Sequence, residues 1–312
     1  MEAKIPLTSL DLPLPLTEFL KQFRDEIFNE AAYARRHPAA IYRLSLGSIS
    51  EALIAATDAV NAFDPDAQNQ LEYHKELTKT LERALSAGMS HFDDLKAIVF
   101  LFGERMGEKQ RKKLTRSFDD TVRDFRDFFA VQGNEMKHRQ AQICYIRISS
   151  LNGQNVRGYF MEGVDHRGAV GPSPIVHPGG KTAFSFNRAL RQMCFSVYFA
   201  SRATCVLLGQ YFRSIDLGDA GALELRALLE KISRLDRLVF FDERDICPSI
   251  EIDSKCLVLS SNSKPFDIIR TGKISVEFSI GGDGSSRTFS LPYAGNNTWP
   301  GAKRAKFAAR AM

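Results

Sequence analysis

Apolar positions recur at helical spacing through the first 143 residues, and most clearly in residues 114–143. There Leu114, Phe118, Val122, Phe125, Phe129 and Met136 follow one another at steps of 3, 4 or 7, which puts them on one stripe of a helix. Upstream, Phe19, Leu20, Phe23, Ile27 and Phe28 predict a helix over 18–35, with Thr17 as its N-cap and His37-Pro38 as its end. Leu44, Ile49, Leu53, Ile54, Ala56 and Val60 predict a second, which Asp64-Pro65-Asp66 breaks. Leu71, Leu77, Leu81 and Leu85 predict a third that stops at Gly88, and residues 91–106 a fourth that closes near Gly107. Short connections between such helices favour an antiparallel bundle.

After His138 the period changes. Residues 144–149 and 156–164 alternate in polarity on either side of Asn152-Gly153, which predicts a hairpin. Residues 163–180, rich in Gly and Pro, read as a loop. Residues 184–214 return to a helix apolar on most sides, and Leu225, Leu228, Leu229, Ile232 and Leu235 predict an amphipathic helix over 222–238. Residues 249–253, 256–259, 274–280 and 288–291 read as short strands of one small sheet. The fold class is therefore α+β: an extended N-terminal arm over 1–16, a helical bundle over 17–241 interrupted by a hairpin and loop at 144–181, a small antiparallel β module over 246–295, and a basic tail over 296–312 holding Lys303, Arg304, Lys306 and Arg310.

Composition narrows the class. With 312 residues, 44% of them hydrophobic, the chain can bury one large core or two modest ones. Lys and Arg outnumber Asp and Glu by 42 to 37, an excess compatible with polyanions and far from that of a histone. The five cysteines, Cys144, Cys194, Cys205, Cys247 and Cys256, form no CxxC pair, so no disulfide framework or zinc ribbon is indicated and a reducing cytoplasm fits. No run of eighteen uncharged apolar residues occurs, so no membrane span is expected.

The chain's polar cluster lies at the end of the 114–143 helix: Gln132-Gly133-Asn134-Glu135-Met136-Lys137-His138-Arg139. Asn134 and His138 stand four apart, one helical turn above the other. This cluster resembles the signature of the HEPN superfamily, helical domains that include many RNases of prokaryotic toxin and defence systems. Asn134, Lys137 and His138 match an Asn-x-x-Lys-His form of that signature, and Gly133 stands where the family's arginine is expected. The resemblance covers residues 41–214 and implies a homodimer that engages RNA without a metal or other cofactor. His138 would be the catalytic acid or base and Asn134 its orienting partner, with Lys137 and Arg139 holding phosphate. The alternative is a non-catalytic interaction scaffold that recruits a protein partner.

Other motifs weigh less. Pro178-Gly179-Gly180-Lys181-Thr182 lacks a P-loop's first glycine, because Ile175 stands there, and it follows no buried strand. Glu251 to Lys255 contains an acidic-x-Lys tripeptide whose second carboxylate would come from Asp242, Glu243 or Asp245, a stretch that reads as a solvated turn. His166 and His177 lie eleven apart with no further ligand at zinc spacing. His37, His74 and His91 read as ordinary surface or core histidines, and Trp299 as an anchor for the tail.

Overall fold

The structure, a computed structural model, describes residues 2–6, 15–23, 28, 36–62, 70–150, 154–164, 170–178, 183–212, 223–240, 243, 248–253, 256–261, 273–279 and 286–292. In chain order its elements are β1 (Glu2–Pro6), α1 (Pro15–Lys21), α2 (Pro38–Asn61), α3 (Gln70–Gly103), α4 (Glu108–Arg139), β2 (Ile143–Ser150), β3 (Asn155–Val164), β4 (Val170–Pro172), β5 (Phe184–Ser185), α5 (Phe186–Gly209), α6 (Leu223–Ser233), β6 (Ser249–Asp253), β7 (Cys256–Ser260), β8 (Lys273–Ser279) and β9 (Ser286–Pro292). It is a mostly helical α+β fold.

The apolar stripes meet where the sequence puts them. Leu114, Phe118, Val122, Phe125 and Phe129 of α4 are buried in one core with Leu46, Ile49 and Leu53 of α2, Leu81, Leu85 and Leu95 of α3, and Leu190, Met193 and Phe195 of α5. Among the described residues α2 alone is long and apolar enough to cross a membrane by length and composition, but its Ile49, Leu53, Ala56 and Val60 pack in this core. The expected stop at Gly88 is corrected: α3 runs through it as one helix of 34 residues. Gly88 faces α4, and a Cβ there would lie 2.1 Å from Cδ1 and Cε1 of Phe129. A glycine that reads as a terminator in sequence is instead a place where α3 packs tightly against the Phe129 ring of α4.

Both ends of the bundle differ from the sequence reading in an instructive way. The arm is a strand over Glu2–Pro6, antiparallel to β7, and Leu16 is already a buried core residue of α1. The helix expected over 18–35 ends at Lys21, and residues 24–27 and 29–35 lie outside the described residues, as do 7–14 and the tail 296–312. The four C-terminal strands form where expected but do not make one module. β6 and β7 join β1 in a sheet of order β1-β7-β6, while β8 pairs with β2 and extends the hairpin sheet to β4-β3-β2-β8-β9. A hairpin has unpaired edges that a free strand can satisfy, and no local pattern in the sequence says which edge a distant strand will take.

The two hairpin strands pair antiparallel as expected, with Tyr145 opposite Tyr159 and Arg147 opposite Arg157, and the expected turn at Asn152-Gly153 lies outside the described residues. Both faces of the hairpin are covered. Ile143, Tyr145, Tyr159 and Met161 point into the bundle core, and Cys144, Ile146, Ile148, Val156 and Phe160 form a second cluster with Ala183 and Phe240. Arg157 reaches back to the bundle, donating to the Val60 carbonyl at 2.9 Å and the Tyr73 hydroxyl at 3.0 Å.

Candidate functional site at the end of helix α4

The last turn of α4 is held by residues that the motif does not include. Gln132 falls on the apolar stripe after Phe125 and Phe129, and it is buried. Its Nε2 donates to the Phe128 carbonyl at 2.8 Å, and its Oε1 accepts from the Tyr159 hydroxyl at 2.7 Å. One turn on, the buried Glu135 accepts from Ser173 Oγ at 3.4 Å and lies 3.4 Å from Arg139 Nε. The turn closes at Gln140, whose φ of 55° is left-handed, with the amides of Gln140 and Ala141 both returning to the Glu135 carbonyl. α4 is thus tied to the hairpin and to the segment after β4 at its final turn.

That segment carries a buried histidine. His177 Nε2 accepts from the Met161 amide at 3.0 Å, so its proton is on Nδ1, which has no partner. Burial, with the Arg188 charge nearby, lowers its pKa to about 3 and keeps it neutral. The turn expected to be solvated is corrected at Glu243, which is buried: its carboxylate accepts from the Ser185 amide at 3.0 and 3.1 Å and from Arg188 Nη1 at 3.2 Å. It anchors the start of α5 and does not face Glu251, whose carboxylate meets Arg237 at 2.9 Å.

Asn134, Lys137, His138 and Arg139 are all exposed. Asn134 and His138 share one solvent-facing stripe with Val131, and neither they nor Lys137 bond to another described side chain. Lys137 turns to the other side, into a cleft of about 550 Å³ that Glu82 and Asp93 of α3 also line, over Met89 and Met136. Two carboxylates against one ammonium make that cleft a poor seat for phosphate. Gly133 forms part of its wall, where a Cβ would stand 1.8 Å from Met89 Sδ. A side chain at residue 133 would therefore have to displace the Met89 side chain at the edge of this cleft. The three basic residues of the last turn also have a structural use, since they offset the helix macrodipole.

The sequence picks out the exposed residues and misses the ones that tie down this end of α4, Gln132, Glu135 and Ser173. One signal was available: Gln132 interrupts an apolar stripe, and a polar residue there must find a buried partner. No group of three His, Cys, Asp or Glu poised for a metal occurs among the described residues. No protein-family model matches the chain. No match is found among curated proteins or among solved structures.

Proposed function

We propose that the chain is a HEPN-like protein that engages RNA through the exposed last turn of α4, and that in one copy this turn is a binding face and not a complete active site. The observation that carries the reading is the division of this end of α4: Gln132 and Glu135 are locked into the fold while Asn134 and His138 face solvent and the exposed Arg139 lies beside Glu135. A rigid polar edge with a guanidinium suits phosphate, and an imidazole one turn from an amide suits a ribose hydroxyl. Cleavage needs more. A general acid or base needs a cation at the phosphate, yet Gly133 holds none and Lys137 sits among carboxylates. A homodimer bringing two such turns together supplies the second set of cations, with His138 as a metal-independent acid or base of a toxin or defence RNase. Cys144, Cys194 and Cys205 are buried and form no disulfide, as a cytoplasmic protein would carry them.

The test is fluorescence anisotropy with labelled single-stranded RNA at two salt concentrations, alongside RNA degradation in EDTA. Binding that weakens with salt and falls in Arg139→Ala supports the reading, and any cleavage should resist EDTA and vanish in His138→Ala. Absence of RNA binding by the wild-type chain overturns it. One observation favours the interaction scaffold instead: Val206, 59% exposed, stands with Phe125 and Phe199 in a groove of about 520 Å³ between α4 and α5. On that reading Val206→Asp alters sedimentation of the wild-type assembly and RNA binds neither protein.

A further inference from the structure

A further concave site lies away from α4, between α2 and α3. It is a cavity of about 320 Å³ lined by Arg36, Ile41, Leu44, Ser45, Ser48, Ala87, Ser90 and Asp94. Arg36 and Asp94 bring opposite charges to the same space, and neither makes an ion pair with any described residue, each other included. Asp94 is half-buried and its pKa is raised, chiefly by burial, with Ser45 beside it acting in the opposite direction. Behind Ser45 is His91, fully buried, with Nδ1 2.9 Å from Ser45 Oγ and Nε2 without a partner. The Ser45–His91 pair thus lies directly behind the wall that Ser45 and Asp94 share. Leu44, 53% exposed, and Ile41 give the same cavity an apolar side.

We propose that this cavity binds a small zwitterion with an apolar side chain, of the class of a free aliphatic α-amino acid. Its ammonium group meets Asp94 with the hydroxyls of Ser48 and Ser90, its carboxylate meets Arg36, and its side chain lies on Ile41, Leu44 and Ala87. Two charges of opposite sign, neither ion-paired among the described residues, face one cavity and favour a ligand that carries both complements, because a ligand with one alone leaves the half-buried Asp94 or the Arg36 guanidinium unmatched. The site is separate from the RNA-facing turn of α4, so it stands or falls independently of that reading.

The experiment is saturation-transfer NMR and calorimetry on the full chain with L-leucine as probe, with leucinamide and 4-methylpentanoate as arms lacking one charge each. Leucine should bind, and both arms should bind at least about tenfold more weakly, as loss of a charged hydrogen bond implies. Asp94→Asn should weaken leucine and leave 4-methylpentanoate unaffected, while Arg36→Gln should weaken leucine and leave leucinamide unaffected. Unliganded melting of each variant shows whether it folds, and the two arms test the idea on the wild-type chain regardless. No saturation transfer to leucine at millimolar concentration, or equal binding of all three probes, overturns the proposal.

Discussion

Replacing Gly88 by alanine sets two effects of opposite sign against each other. In an exposed helix interior, Gly→Ala stabilises by about 1 kcal/mol through helix propensity. At residue 88 the new methyl would lie 2.1 Å from two ring carbons of Phe129 and 2.9 Å from a third. Carbon atoms rest at about 3.5–4.0 Å, so the overlap exceeds roughly 1 Å and cannot be absorbed in place. Phe129 is fully buried, with Phe92 at 5.8 Å and Phe128 at 6.1 Å between ring centroids, and has nowhere to turn. Either α3 and α4 separate or the ring leaves its rotamer, at a cost of about 1–3 kcal/mol and upward for an overlap this deep. We expect a net loss of about 1–2 kcal/mol after the propensity gain, read as a lower urea midpoint by circular dichroism. Gly133→Ala is the control. Its nearest atom is the Met89 sulfur, on an unbranched side chain at the wall of an open cleft, which can swing aside. That variant should range from neutral to about 1 kcal/mol more stable. Trimming the ring in a Gly88→Ala/Phe129→Leu double variant should return part of the loss, because the two changes share one space. A Gly88→Ala chain as stable as wild type refutes the close approach.

Tyr159→Phe removes the 2.7 Å bond to Gln132 and strands a buried carbonyl, at about 1–3 kcal/mol by the same titration; adding Gln132→Met should recover much of it. Glu243→Gln leaves Arg188 without its carboxylate at 12% side-chain exposure, and should cost about 2–3 kcal/mol with early loss of α5 protection in hydrogen exchange. Acid should destabilise the chain through its buried histidines. Burial lowers His91 to about 4, so the unfolded chain, titrating near 6.5, holds the extra proton between those values. Stability is then flat above pH 6.5 and falls as pH drops toward 4, by about 3 kcal/mol from His91 alone. His91→Gln should flatten that part of the profile, and an unchanged slope between pH 6 and 4 counts against a neutral buried His91.

Periodicity carried most of the fold because each helix buries one stripe, and a stripe is a local property of a dozen residues. The same reasoning failed at Gly88 for a physical reason: a glycine in a helical pattern means either a turn or a close neighbour, and only the partner helix distinguishes them. It failed again at the C-terminal strands. Their limits follow from alternation and turn residues, but their pairing depends on which open edge, that of β1 or of β2, is near when they arrive. The candidate site divides along the same line. Exposed Asn134, Lys137 and His138 could be picked out by residue type and spacing, since a surface side chain needs no partner to be noticed. Gln132, Glu135 and Ser173 act through each other and through Tyr159, across separations of 27 and 38 residues that no local pattern spans. The consequence for function is specific. On the RNA-binding reading we propose, a turn held by its own helix alone would keep its binding when the hairpin is changed. Because Tyr159 and Ser173 hold it, Tyr159→Phe and Ser173→Ala should instead weaken that proposed binding without altering an exposed residue of the turn, and Gly133→Ala, on the far side against Met89, should not.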